Sequence, residues 1–283
     1  MTDAALCSAP ASTQRTTFVL VDAHVHLHEC FAPSDFLDAA AANMAASARA
    51  LRLPAATPGF LLFTESSGVD AFSGLAAGEL PTGVWRIEAL PEPVSLRATA
   101  ENRPPLVLVA GRQIITAEGL EVLALGTRKT FPDGEPLHAV LASVDTADAV
   151  PVIPWGFGKW SGRRGRAVLG VLRGRSARHI HLGDNGGRPA CWRRPPFFAV
   201  AEARGWPVLP GTDPLPFAAE IAKPGRYGFV AELALDWAEP FASLKRWLAT
   251  CDTSVPTYGR LESLPVFVGR QMAMQIVKRR GRR

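Results

Sequence analysis

The sequence predicts an α/β fold, a distorted TIM-like (β/α) barrel in one domain, on three observations. Short apolar runs recur along the chain, stretches of helical periodicity separate several of them, and the runs number about six to eight, the strand complement of a barrel rather than an open doubly wound sheet. No internal repeat and no low-complexity linker divides the chain. A length of 283 residues with 47% hydrophobic and 20% charged residues suits such a domain and excludes disordered and fibrous classes.

The first strand is Phe18 to Val25 (FVLVDAHV). Pro33 to Leu51 follows as an amphipathic helix, with Pro33 and Ser34 at its start and Phe36, Leu37, Ala40 and Met44 at helical spacing. Next come a strand at Phe60 to Thr64, a short helix near Asp70 to Ala77 and a strand at Val84 to Leu90. From Val94 to Leu125 short strands alternate with turn residues (VSLRA, LVLVAGRQIIT, LEVLAL), and Ala117-Glu118-Gly119 marks a hairpin. The alternation then resumes with a helix at Pro136 to Ser143, a strand at Val150 to Pro154 and a helix around Arg166 to Leu172. A strand at His179 to Leu182, a helix at Pro196 to Arg204 and a strand at Pro207 to Leu209 complete it.

Residues 17–275 are expected to form this single domain, flanked by a disordered N-terminus at 1–16 and a basic tail at 276–283. The 31 Lys and Arg exceed the 26 Asp and Glu only because of that tail: without Lys278, Arg279, Arg280, Arg282 and Arg283 the count is 26 against 26. A short basic cluster of this kind is a solvated end, so no nucleic-acid partner is expected. There is no apolar run long enough to span a bilayer, and the first residues lack both a basic and an apolar leader region. A soluble, cytoplasmic protein without a membrane partner is expected. Cys7, Cys30, Cys191 and Cys251 lie far apart with no C-x-x-C pair, which excludes a zinc ribbon and a disulfide scaffold.

Chemistry is concentrated in Val21-Asp22-Ala23-His24-Val25-His26-Leu27-His28, where three of the chain's six histidines fall within five residues. Side chains two apart on a strand share a face, so His24 and His26 can chelate one divalent metal, with His28 joining only if the strand continues. A second pair, His179 and His181, lies in RHIHLGDNGGRP; His179 reads better as a hydrogen-bonded wall residue, and Asp184 serves equally as a site residue or as turn geometry. Two glycine-rich loops suit anions. The segment from Gly156 to Arg166 offers backbone N–H groups, Lys159 and arginines ahead of a helix, and Gly186-Gly187-Arg188 offers a bidentate guanidinium. Neither a Walker A loop nor a G-x-S-x-G elbow is present.

VDAHVHLH resembles the opening motif of the amidohydrolase and PHP (polymerase and histidinol phosphatase) metallohydrolases, which carry an H-x-H of metal ligands at the end of the first barrel strand. AGRQIITAEGLEVLALG is similar to a PHP segment leading into "EVL-L-G", and VLPGTDPLPF resembles the late "GSDAH" segment that supplies a terminal metal aspartate, here Asp213. The resemblance implies a metal-dependent hydrolase acting on a phosphate ester of a small anionic molecule. A divalent Zn, Mn or Fe ion would be held by His24, His26 and Asp213, with His181, Asp184 or Glu65 as supplementary ligands. Lys159 and Arg188 would neutralise the phosphate, and Asp184 would serve as general base. The pattern departs from the family at Gln113, where it has a glutamate, at Pro214, where it has a histidine, and at VIPWGFGKW, which lacks a further histidine. Those departures equally suit a catalytically inactive relative that binds a ligand or a partner protein.

Overall fold

The computed structural model describes residues 16–174, 180–251 and 254–280, with side chains through Gln275. In chain order the described residues form β1 (Thr17–Val25), α1 (Pro33–Ala50), β2 (Gly59–Phe63), α2 (Ala71–Ala76), β3 (Arg86–Ala89), β4 (Ser95–Thr99), β5 (Leu106–Val109), β6 (Gly111–Ile115) and β7 (Glu121–Leu125). They continue with α3 (Leu137–Thr146), β8 (Val150–Pro154), α4 (Gly162–Arg173), β9 (His181–Asn185), α5 (Pro196–Glu202), β10 (Val208–Gly211), β11 (Tyr227–Leu233), α6 (Pro240–Thr250), β12 (Thr257–Gly259) and α7 (Leu264–Arg280). A short 3₁₀ turn, Ala218–Ala222, precedes β11.

The strands form two mixed sheets, and the expected barrel does not close. One sheet has the order β12-β11-β1-β2-β5-β4-β3, the other β10-β9-β8-β7-β6. A (β/α) barrel would need β10 to run along the free edge of β1 as a parallel neighbour. That edge is taken instead by β11, which pairs antiparallel with β1 from Thr17↔Leu233 to Val21↔Phe229. Only the far end of β1 remains open to β10, through Asp213 N–H donating to His24 O at 2.8 Å. The other seam follows from a break at Ala110: β5 belongs to the first sheet and β6 to the second, bridged by Glu65↔Arg112.

Three apolar clusters account for the layers. Phe36, Leu37, Ala40 and Met44 of α1 pack on one face of the larger sheet against Leu20, Leu61 and Leu108. Between the sheets lie Val19, Val21, Phe60, Leu62, Val107 and Val109 from one and Leu123, Leu125, Val150 and Val152 from the other, with Phe241, Leu244 and Leu248 of α6. On the outer face of the smaller sheet, Val140 and Val144 of α3, Val168 and Leu172 of α4, and Phe198 of α5 cover Val122, Ile153 and Leu182. Most elements read between residues 18 and 209 are present, but the run LVLVAGRQIIT is split into β5 and β6 in different sheets, and the arrangement of the strands is not that of a barrel. The backbone of residues 276–280 continues α7, so the basic segment begins inside a helix. Residues 1–15 and 281–283 lie outside the described residues. No helix among the described residues is long and apolar enough to cross a membrane.

Candidate functional site

The site lies at the end of β1, beside the ends of the mutually parallel strands β8, β9 and β10. Its geometry starts from an irregularity in β1: the register with β2 shifts between Asp22 and Val25. Leu20 and Val25, of opposite parity, consequently pack in the same cluster with α1. The shift turns His24 and His26 toward the space between the sheets, the use to which a β-bulge beside a site is commonly put.

There the two imidazoles meet Asp213. His24 Nε2 and His26 Nε2 are 3.1 Å apart, and each lies 3.5 Å from Asp213 Oδ1. Among the described residues these three form the one group of His, Cys, Asp or Glu side chains spaced to hold a metal ion. A tetrahedral ion with ligands at 2.0–2.1 Å separates its donor atoms by about 3.3 Å, so the observed spacing matches a shared centre. Both histidines are buried, 4% and 7% exposed. Burial pushes the His24 imidazole down against the raising influence of Asp213. Burial raises the Asp213 carboxyl, but the charge of His24 and the hydrogen bond from His26 outweigh it and hold the group well below the usual carboxylate range.

Asp213 is held on all sides. Its backbone sits at φ +46°, a left-handed conformation unusual for a residue with a side chain. Asn185 Nδ2 donates to its Oδ2, and Gly187 N–H donates in turn to Asn185 Oδ1 at 2.7 Å. His28 Nε2 lies 2.8 Å from Pro214 O, so this third imidazole braces the turn after Asp213 and does not join the cluster.

Asp22 joins the two ligand-bearing segments. Its Oδ1 accepts from Thr212 N–H at 2.8 Å and its Oδ2 from Thr212 Oγ1 at 2.6 Å and Gly225 N–H at 2.9 Å. Burial raises its carboxyl to about 7 against these lowering hydrogen bonds. Close approach of β10 to β1 also needs Gly211, because a Cβ there would lie 2.3 Å from His24 N and 2.6 Å from His24 Cβ. Gly211→Ala is expected to cost about 2 kcal/mol of stability and to weaken metal binding. Chemical denaturation and a metal titration check the two effects separately.

The cluster opens into a cavity of about 400 Å³ lined by His26, His28, Gln113, Glu121, Lys159, Asn185 and Asp213 on one side and by Lys223 and α7 on the other. Lys159 is ion-paired with Glu121. Asp184 and Arg188 lie elsewhere. Arg188 Nε and Nη2 each donate to the Asp184 carboxylate at 2.8 Å, and Tyr227 OH adds a third bond at 2.8 Å. These residues line a separate pocket with Arg194 and Tyr227. The ion pair fastens the glycine-rich turn to β9, Tyr227 ties β9 to β11, and both charged groups are occupied away from the cavity that the histidines line. His181 is buried with Nδ1 3.1 Å from Pro207 O and is outside the cluster. His179 lies outside the described residues. Glu65 is committed as well: Arg112 Nη1 donates to its Oε2 at 2.9 Å, and Phe72 N–H, at the start of α2, to its Oε1 at 2.8 Å.

Asp22, Asn185, Gly211 and Lys223 were not marked as site residues by sequence reasoning, since each acts through a long-range contact.

No protein-family model and no curated protein matches the chain. Among solved structures, the crystal structure of PsfC from Pseudomonas syringae PB-5123 matches with a TM-score of 0.53 at 16% sequence identity, over 92% of this chain and 99% of that one. At that identity the likeness is one of fold.

Proposed function

We propose that this chain is a cytoplasmic metal-dependent hydrolase of small anionic phosphate esters, a divergent relative of the PHP and amidohydrolase enzymes, with its metal on His24, His26 and Asp213. The observation that carries the reading is the convergence of three donor atoms, 3.1 to 3.5 Å apart, from segments separated by almost 190 positions in sequence. Two neutral imidazoles and one carboxylate suit Zn, Mn or Fe. A divalent ion bound there supplies Lewis acidity.

The protein's own residues would do the rest. Lys159, on the cavity wall, would neutralise substrate phosphate in exchange for part of its pairing with Glu121. Asn185 fixes the outer oxygen of Asp213 and leaves Oδ1 directed at the histidines. Asp184 and Arg188 take no part in this chemistry, because they are bonded to each other beside another pocket. The test is metal content and phosphatase activity of protein expressed with Zn²⁺ or Mn²⁺ supplied. One ion per chain and ester hydrolysis abolished by a chelator are expected; a metal-free protein would overturn the reading.

A second reading, a ligand- or partner-binding protein without catalysis, is favoured by one observation: besides Asp213, the polar groups nearest the histidines include the amides of Gln113 and Asn185. Gln113 is also among the groups that raise the His24 imidazole against its burial. Metal binding with no hydrolysis across a panel of phosphate esters would select it. Gln113→Glu separates the roles of that position further. A carboxylate of nearly the same shape beside His24 is expected to tighten Mn²⁺ or Zn²⁺ binding about tenfold, or to raise stoichiometry above one. Unchanged binding with lower stability would make Gln113 a packing residue.

A further inference from the structure

The wall of the cavity opposite the histidines is made by α7 and Lys223, and its chemistry is unusual for a helix that only covers a core. Phe267, Arg270, Gln271, Met274 and Gln275 line the cavity, spaced i, i+3, i+4, i+7 and i+8 on one face of the helix. Such a face is ordinarily apolar where it serves packing alone. Here it carries one guanidinium and two amides.

Lys223 and Arg270 are backed by two carboxylates. Lys223 Nζ lies 2.9 Å from Glu220 Oε2 and 3.1 Å from Glu262 Oε2. Arg270 Nε lies 2.7 Å from Glu220 Oε1, and its Nη1 pairs with Glu262. Neither glutamate lines the cavity, whereas both cations do. The carboxylates therefore hold the cations from behind, and among the described residues Arg270 Nη2 has no hydrogen-bond partner. The Arg270 side chain is 19% exposed and lines the cavity. Phe267 fixes the helix at its N-terminal end by packing against Phe157 and Trp192, with ring centroids 5.5 Å apart in each case.

We infer that Lys223, Arg270 and Gln271 form a second oxyanion subsite, which takes the terminal phosphate or carboxylate of a substrate whose reacting group sits at His24, His26 and Asp213. The inference rests on the proposed hydrolase reading for the identity of the reacting end. It deepens that reading by assigning the substrate to small molecules with two anionic groups, one at each end. Charge-assisted hydrogen bonds from a planar guanidinium suit either oxyanion, and the amide of Gln271 adds a donor that a carboxylate at the same place would replace by repulsion.

Isothermal titration of the metal-free protein with inorganic phosphate, and in a parallel series with acetate, tests the subsite without relying on catalysis. Millimolar or tighter binding of one of the two is expected in wild type, and the tighter one names the terminal group. Binding is expected to persist within about twofold in the His24→Ala, His26→Ala double variant, whose substitutions lie on the opposite wall. It is expected to weaken about tenfold in Arg270→Gln. Because Arg270→Gln also disturbs the Glu220 and Glu262 pairing, Gln271→Glu provides a second variant that leaves those ion pairs intact, and it too is expected to weaken binding. No binding of either anion to wild type, equal binding in Arg270→Gln and Gln271→Glu, or loss confined to the histidine variant would overturn the subsite. Metal stoichiometry, measured on the same proteins, judges the hydrolase reading separately.

Discussion

Alanine at both His24 and His26 is expected to reduce bound Zn²⁺ or Mn²⁺ from one ion per chain to none while the fold survives. Both imidazoles are donors of the proposed centre. They stand at the end of β1, beyond the residues that pair with β11 and outside the apolar cluster between the sheets. Their removal takes away two of three donors and leaves Asp213 with its Asn185 contact, and a lone carboxylate binds a divalent ion too weakly to survive dialysis. Asp213 loses the two imidazoles that lie 3.5 Å from its Oδ1, so a loss of about 1–3 kcal/mol is expected from a partly buried carboxylate deprived of these partners. Metal analysis after dialysis and circular dichroism check the two parts. Full occupancy in a folded double variant would place the ion elsewhere.

The contrast between what could and could not be read from the chain has a physical basis. His24 and His26 were legible because a spacing of two on a strand is a local rule, and the structure does bring them together. The bulge that aims them inward leaves no mark in the sequence, since Val21-Asp22-Ala23-His24 carries no glycine or proline and continues the strand pattern. Asp213 was reached through likeness to a family motif, and its proximity to the histidines depends on Gly211 and on Asp22, whose partner Thr212 lies 190 positions away from it. Most elements from β1 to β10 were legible from their apolar runs and helical spacing, although β5 and β6 were read as a single run. The arrangement of the sheets was not, because it turns on which strand reaches the free edge of β1. That strand, β11, lies in a region where no element was predicted, and its antiparallel pairing replaces the contact a barrel needs. The same gap hid α6, which fills the space between the sheets, and α7, which supplies the second wall of the cavity.

Asp22→Ala is expected to have the largest effect on stability of any single substitution near the site, about 4 kcal/mol, although Asp22 is not placed among the metal ligands. The carboxylate gathers Thr212 N–H, Thr212 Oγ1 and Gly225 N–H at 2.6 to 2.9 Å in a fully buried position. Alanine leaves three donors without a partner, and each unsatisfied buried group costs about 1–3 kcal/mol. Part of that is returned because the carboxyl itself is costly to bury, as its elevation to about 7 shows. The structural consequence reaches the site. Thr212 adjoins Asp213, so freeing the segment lets the strained φ of +46° relax and carries the carboxylate away from His24. Metal affinity is therefore expected to fall along with the melting temperature, even though both histidines remain. Asp22→Ser separates the contributions, since a hydroxyl can accept from one donor and should recover part of the stability but little of the metal binding. Calorimetric melting and Zn²⁺ titration of the two variants check this ordering. An Asp22→Ala protein with wild-type stability would show that the seam between β1 and β10 is held by Gly211 packing and the Asp213 N–H to His24 O bond, with Asp22 contributing nothing to it.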